Sequence, residues 1–317
     1  MESRLSPGLV LRPARVSDAA AITRLMAAAD AAEGGEAWVT ETDIVEDLND
    51  PDLNLETDTW VVEDGTAMVG YGELWNAREE AADAMEAQAW TAPTHVGRGI
   101  GSTLIELSEA AAVTAARRFD KRPVLLRNFI WAQNQPAREM LEARDYAVVR
   151  HFFHMGIDVA ELPPPPAAPD GLELRSLDPA TDPRPLFELI VQAFRNHWNW
   201  SPMTFENFWR RIAERDDFDP YLTPVVLDQG RLIGASINAT KLGQGWVQDL
   251  AVHESARRRG TGELLLRHSF ARFAEKGWTK VGLGLDSGNA TGALRLYERV
   301  GMHITRRFDA FEKEIVA

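Results

Sequence analysis

Hydrophobic positions along the second half of the chain change period several times, and each change marks an element. Residues 172–177, LELRSL, alternate apolar with polar, the pattern of a half-buried strand. PRPLFELIVQAFRNHW then places apolar residues at helical spacing, and TFENFWRRIAERDD predicts a second helix opening on Thr204, whose hydroxyl can cap it. PVVLDQGRLIGASINAT predicts a hairpin around Asp228-Gln229-Gly230, and GWVQDLAV a further strand. GELLLRHSFARFAEKG reads as a helix stopped by Gly277, KVGLGL as a strand, ALRLYERVG as a helix with its own glycine stop, and HITRRFDAFEKEIV as the closing strands. The predicted order is β, two helices, an antiparallel meander, then β-helix-β-helix-β.

The first half carries the same order in divergent form. Gly8-Leu9-Val10-Leu11-Arg12 matches Gly171-Leu172-Glu173-Leu174-Arg175 at an offset of 163, and Gly70 matches Gly234 at 164. Gly99 and Gly101 match Gly260 and Gly262 at 161, and Asn134 matches Asn289 at 155. Ordered matches with a slowly drifting offset are what duplication followed by loop changes leaves. Between the copies runs DVAELPPPPAAPDG, whose four consecutive prolines favour an extended, semi-rigid connector. The expected organisation is a first domain over 1–158, a Pro-rich linker over 159–170 and a second domain over 171–317.

Composition narrows the function classes. The chain has 317 residues and no cysteine, so disulfides, thiolate metal sites and a cysteine acyl-enzyme are excluded, and no metal site is expected. No run approaches the roughly 18 apolar residues of a membrane span, and MESRLSPGLVLRP lacks a signal-type apolar core, so a cytoplasmic protein without a membrane partner is expected. The formal charge is −14, which disfavours nucleic acid as a partner. That charge is uneven: residues 1–160 hold 14 basic against 27 acidic residues, and residues 161–317 hold 20 against 21. An acidic first half would attract a cationic amine; a solvated surface that serves solubility accounts for it equally well.

The most informative segment is VHESARRRGTGE, residues 252–263, which joins a predicted strand to a predicted helix through Arg257-x-x-Gly260-x-Gly262. Backbone N–H groups at such a junction cradle an anion, the helix dipole adds positive potential, and glycines admit a pyrophosphate closely. Arg257, Arg258 and Arg259 add charge-assisted donors. A single R-x-x-G-x-G is a weak signal taken alone, since an exposed basic helix start has the same form.

With the strand ending LAV and the later Asn289-x-x-x-Ala293-x-x-Leu296-Tyr297-Glu-Arg-Val-Gly301-Met302, this segment resembles the Gcn5-related N-acetyltransferases (GNAT). The resemblance covers 171–317, and the duplicated layout is similar to tandem, mycothiol synthase-like members. It implies an α/β (α+β) chain of two tandem GNAT folds, each a mixed, mostly antiparallel central sheet flanked by helices. It also implies acetyl-CoA as cosubstrate, with Leu250, Ala251 and Val252 offering backbone hydrogen bonds to the pantetheine arm. Residues Arg257, Arg258, Arg259, Gly260, Thr261 and Gly262 would wrap the pyrophosphate, with Glu263 opening the helix behind them. Asn289 corresponds to a residue that steadies the pantetheine, although its spacing to Tyr297 is one residue longer than the commonest form. Tyr297 matches the tyrosine that protonates the departing thiolate.

Three residues compete for the remaining roles. Asp249 lies on the strand beside the acyl site as a base candidate, a surface carboxylate being the alternative. His197 sits in Asn196-His197-Trp198-Asn199-Trp200, where the resemblance places the acceptor lip, and Trp198 and Trp200 line either a pocket or the core. Asp286 follows the fifth strand, as an acceptor contact or as a cap of the next turn. In the first copy Val96 replaces the residue that usually starts the phosphate motif and Leu141 falls where the tyrosine would, so that copy is expected to have lost chemistry. The expected activity is acetyl transfer to a primary amine of a small molecule by direct attack in a ternary complex, by a monomer or homodimer. A different acyl-CoA or carrier-protein thioester as donor, and a non-catalytic CoA sensor, are the alternatives.

Overall fold

The computed structural model describes residues 5–35, 39–78, 84–118, 123–198, 200, 202–215, 217–241, 243–288 and 292–316. The chain divides into two compact units, Met1–His151 with Arg307–Ala317, and Phe152–Arg306.

The first unit contains β1 (Leu9–Arg12), α1 (Ala19–Ala32), α2 (Glu41–Leu48), the single turn α3 (Leu55–Asp58), β2 (Thr59–Asp64), β3 (Ala67–Trp75) and β4 (Ala84–Thr91). It continues with α4 (Ile100–Arg118), β5 (Val124–Trp131), α5 (Gln135–Glu142) and the beginning of β6 (Ala147–Asp158). Its sheet runs β1-β2-β3-β4-β5 and is closed by residues 308–315 from the end of the chain, paired antiparallel to β5. Only β4 and β5 run parallel. One face packs Val62, Leu74 and Leu126 against Leu104 of α4, and the other packs Val61 and Tyr71 against Ile22 of α1 and Ile44 of α2.

The second unit contains β7 (Leu172–Ser176), α6 (Pro183–Phe194), α7 (Phe205–Ala213), β8 (Pro224–Asp228), β9 (Arg231–Lys241) and β10 (Gln244–Val252). After these come α8 (Thr261–Glu275), β11 (Lys280–Asp286), α9 (Ala293–Arg299) and β12 (His303–Ile315). The sheet order is β7-β8-β9-β10-β11, closed by residues 152–158 of β6 antiparallel to β11. The β8–β9 hairpin turns at Gln229 (φ 49°) and Gly230 (φ 80°), a two-residue loop that needs both in the left-handed region. Helix α6 ends at Phe194, earlier than its apolar spacing predicts, because the His197 N–H donates to Phe194 O at 2.7 Å and the Trp200 N–H to His197 O at 3.3 Å in successive turns.

Two apolar layers cover this sheet. Phe208 and Ile212 of α7 and Leu186 and Ile190 of α6 pack on Ile237 and Ala251, while Phe270 and Phe273 of α8 and Tyr297 of α9 pack on Val247 and Leu283. Contact with α8 is close enough to require glycine: a Cβ at Gly245 would stand 2.6 Å from ring carbons of Phe273. Gly245→Ala is therefore expected to cost about 1 to 3 kcal/mol, read as a lower denaturation midpoint in urea.

Both units open their sheets at the parallel pair. β10 and β11 are in register from Gly245↔Val281 to Val247↔Leu283, after which β10 continues alone to Val252 on that side. In the first unit β4 and β5 part in the same way after Ala87↔Asn128. An unpaired strand edge inside a sheet presents backbone N–H and C=O groups that need partners.

Candidate active site

A one-residue irregularity in β10 decides what faces the opening. The β9–β10 register steps from Val247↔Asn238 to Asp249↔Ile237, leaving Gln248 as a bulge. Before the bulge Val247 points toward α8; after it Ala251, in phase with Asp249, points toward α6 and α7. Strict alternation would put Asp249 on the α8 side, so the bulge re-aims it. The first unit has no such step: β3 and β4 stay in register from Gly70↔Thr91 to Trp75↔Glu86, and Gln88 stands where Asp249 does.

Asp249 is half-buried and has no hydrogen bond or ion pair among the described residues. Burial pushes its carboxyl up to about 6, against the lowering effect of Arg211, Arg215 and Lys241. Tyr297, on α9, is 8% exposed and packs with Leu250 and Leu285. Burial raises its phenol to about 12, and the charge of Asp249 adds to the rise, so the two side chains share one electrostatic environment. A carboxylate raised by burial and a phenol that stays protonated under its charge are groups able, respectively, to take one proton and give another.

The loop before α8 holds two residues in the left-handed region. Gly260 lies at φ 82° and caps α8, and Arg258 lies at φ 60°. The corresponding residue of the first copy is Gly97, at φ 84°. A left-handed arginine costs roughly 1–2 kcal/mol of backbone strain that a glycine would avoid. Arg257, Arg258 and Arg259 are exposed and form no ion pair among the described residues, Arg257 Nε donating only to Val252 O at 3.3 Å. Thr261 is buried, its hydroxyl turned back to Ala256 O, and Glu263 pairs with Arg267 at 2.9 Å. Gly262 brings α8 against α9, since a Cβ there would meet Leu296 Cδ2 at 2.9 Å. Leu250 and Val252 are half-buried and Ala251 fully buried, with their backbone on the opened edge of β10. The first-copy loop differs: Arg98 is held by Asp64 at 2.6 Å, the His95 ring lies 3.2 Å from the same carboxylate, and Val96 is 60% exposed.

The aromatic lip gathers residues from three segments of the second unit. The His197 ring lies 4.6 Å from that of Phe194. Burial lowers the His197 pKa; Asp286 opposes the drop and Arg257 adds to it, so the loop after α6, the end of β11 and the phosphate-type loop act on one imidazole. Trp198 lies 5.7 Å from Phe152, which pairs with Asp286 across β6 and β11. Trp200, like Trp198, is half-buried. Asp286 accepts the Gly288 N–H at 2.8 Å. Asn289 lies outside the described residues.

Some residues around Trp246, earlier on β10, carry no sequence motif. His154, from residues 152–158, stands edge-on to Trp246 at 5.6 Å, and Lys241 lies over the same indole at 5.6 Å. The alternation of Arg210-Arg211-Ile212 on α7 marks its polar side but not what it faces. The first unit carries its own buried carboxylate: Glu73 accepts the Tyr71 hydroxyl at 2.7 Å and is pushed by burial to about 7.

A protein-family model described as the Acetyltransferase (GNAT) family matches residues 23–146 and again 184–302. The chain belongs to this family. It is an acetyltransferase with two GNAT-like halves. Along its length it is 27% identical over 321 residues to a mycothiol acetyltransferase of Catenulispora acidiphila, covering 96% of each chain. Over 178 residues it is 30% identical to the mycothiol acetyltransferase of Thermomonospora curvata, covering 54% of this chain and 59% of that one. Among solved structures, a GCN5-related N-acetyltransferase from Sphaerobacter thermophilus matches with a TM-score of 0.85 at 27% identity, over 99% of this chain and 98% of that one. A tandem GNAT protein from the clavulanic acid biosynthesis pathway shares the fold, with a TM-score of 0.75 at 19% identity over 98% and 99%. Among the described residues of this GNAT chain, no helix is long and apolar enough to cross a membrane.

Proposed function

We propose that this GNAT protein transfers an acetyl group from acetyl-CoA to the primary amine of a small molecule by direct attack in a ternary complex, and that the second copy, 171–317, carries the chemistry. The observation that carries this reading is the opened edge of β10, which carries Asp249 and is followed by an arginine loop with no internal counter-ion among the described residues, with the Tyr297 phenol within the electrostatic reach of Asp249. The donor suits these residues. Free backbone groups of Leu250 to Val252 match an amide-rich pantetheine arm, and Arg257 to Arg259 with the first N–H groups of α8 match a pyrophosphate.

The amine nitrogen attacks the thioester carbonyl as Asp249 takes its proton. A backbone N–H on the open edge of β10 holds the oxyanion, a donor typically worth about 2.7 to 4 kcal/mol of barrier. The C–S bond then breaks and the thiolate receives the Tyr297 proton. Protonation of Asp249 removes the charge that helps hold Tyr297 up, so proton uptake at one end of the reaction makes donation at the other easier. The first copy, with Gln88 and Leu141 at the matching positions and Arg98 bound to Asp64, contributes no transfer of its own in this reading.

Thiol release with acetyl-CoA and a panel of amines tests the activity. Charge reversal of Arg257, Arg258 and Arg259 together is expected to weaken acetyl-CoA binding by roughly 10²-fold or more in calorimetry. Binding that survives the reversal would exclude these arginines as the phosphate clamp.

A further inference from the structure

A groove of about 390 Å³ runs beside α6 in the second unit, and none of its described lining residues belongs to the candidate active site. Leu189 of α6, Leu227 of β8 and Leu232 of β9 give it an apolar floor. Helix α6 contributes Glu188 and Gln192, one turn apart, and the strands contribute Arg231 at the start of β9 and His253 just after β10. Arg175 and Asp182 also line the groove, but they hold each other through two contacts of 2.5 and 2.8 Å.

The first copy shows which of these residues the fold itself needs. There Arg12 grips Asp18 at 2.7 and 2.9 Å as Arg175 grips Asp182, so this pair braces the first strand of each copy to the start of the helix that follows. The other polar residues of the groove have no such counterpart. Asp64↔Ala67 closes the first hairpin as Asp228↔Arg231 closes the second, so Ala67 stands in the place of Arg231. The Ala92 N–H donates to Val69 O as the His253 N–H donates to Ile233 O, so Ala92 stands in the place of His253. Counted from the bracing aspartates, Arg24 and Ala28 take the places of Glu188 and Gln192. Glu63, where the second copy has Leu227, reaches over to Arg12 at 2.7 Å. The charges that face the groove are thus a property of the second copy and not of the shared architecture.

Two of those groups leave a donor unmet. Arg231 Nη2 lies 3.0 Å from His253 Nε2, and the Ser255 N–H points at His253 Nδ1 at 3.2 Å. A guanidinium only donates, while an imidazole accepts at one nitrogen when neutral and at none when protonated. One of the two donors therefore lacks an acceptor on this ring in every protonation state, and a carboxylate entering the groove beside Arg231 supplies one. Glu188, on the α6 wall, has no hydrogen bond or ion pair among the described residues and can accept a cation. We propose that this groove binds a small zwitterion of the amino-acid class, with its carboxylate on Arg231, its ammonium group on Glu188 and its side chain over Leu189, Leu227 and Leu232. An arginine and a glutamate that face one groove without pairing suit a molecule that carries both charges. The inference stands apart from the acetyl-transfer reading and does not depend on it.

Calorimetry of the full chain with each of the twenty common amino acids, up to about 10 mM, is the test. At least one is expected to bind. For the tightest, the amide, which lacks the carboxylate, and the carboxylic acid without the amino group are each expected to bind roughly tenfold or more weakly. Arg231→Gln is expected to bring the amino acid down to the level of its amide, and Glu188→Gln down to the level of the acid without the amino group. Both side chains are exposed, so the melting temperature of each variant should stay close to that of the parent. Asp249→Asn, at the candidate active site, is expected to leave this binding unchanged. Absence of binding by every amino acid, equal binding of either analogue, or undiminished binding in either groove variant would each overturn the proposal. Loss of binding in Asp249→Asn would overturn it as well, by moving the ligand to the acetyl-transfer site.

Discussion

Tyr297→Phe is expected to lower kcat by roughly 10²-fold or more while leaving the acetyl-CoA Kd close to that of the parent protein, because it deletes one proton and one oxygen from a packed site. The phenol is held at about 12 by burial first and by Asp249 second, so it remains protonated across the neutral range and can donate when the thiolate forms. The surrounding Leu250 and Leu285 contacts survive the change, which separates a chemical effect from a packing one. Single-turnover thiol release is the measurement of choice, since it reports the C–S cleavage step directly. Turnover equal to that of the parent would remove Tyr297 from the mechanism.

Asp249→Asn is expected to reduce kcat/KM by a comparable factor and to abolish the acid limb of its pH profile. With its carboxyl raised to about 6, the base form is present above that pH, so activity of the parent should fall as pH drops below about 6. The stability effect has the opposite sign. A folded-state pKa above the ordinary carboxylate value means that the folded protein holds this proton more tightly than the unfolded chain. Stability contributed by the protonated form is thus lost as pH rises from about 4 toward about 6. The Asp249→Asn variant, whose amide cannot ionise, should therefore show a raised melting temperature at about pH 7 to 8 together with lower turnover. Persistence of the acid limb in this variant would move the base to another group, with His197 the first to examine, since burial keeps its imidazole neutral to lower pH than usual.

The arginine loop was legible in the residues themselves. Gly260, Gly262 and the three arginines lie within a few positions of one another, and Gly260, left-handed at φ 82°, stands directly before α8. Tyr297 could be singled out through resemblance, and Asp249 through its place on the strand. The side on which Asp249 stands could not be read, because GWVQDLAV carries no mark at Gln248 that announces a bulge. The neighbours of the Trp246 ring were also hidden, since Lys241 and His154 lie far apart in sequence and meet there only in the folded unit.

By itself the sequence determined the duplication, the order of elements in each copy and the place of the arginine-rich loop before α8. Periodicity, capping, turn residues and repeated motifs act between near neighbours and leave their signature in the text of the chain. Only the tertiary structure decided which strand completes each sheet: residues 152–158 pair with β11 in the second unit, and residues 308–315 pair with β5 in the first. Backbone hydrogen bonding is common to every residue, so a closing strand with the right alternation fits either sheet edge and its sequence does not name its partner. The same indifference hid the bulge that turns Asp249 toward α7, and with it the distinction between a surface carboxylate and a candidate base.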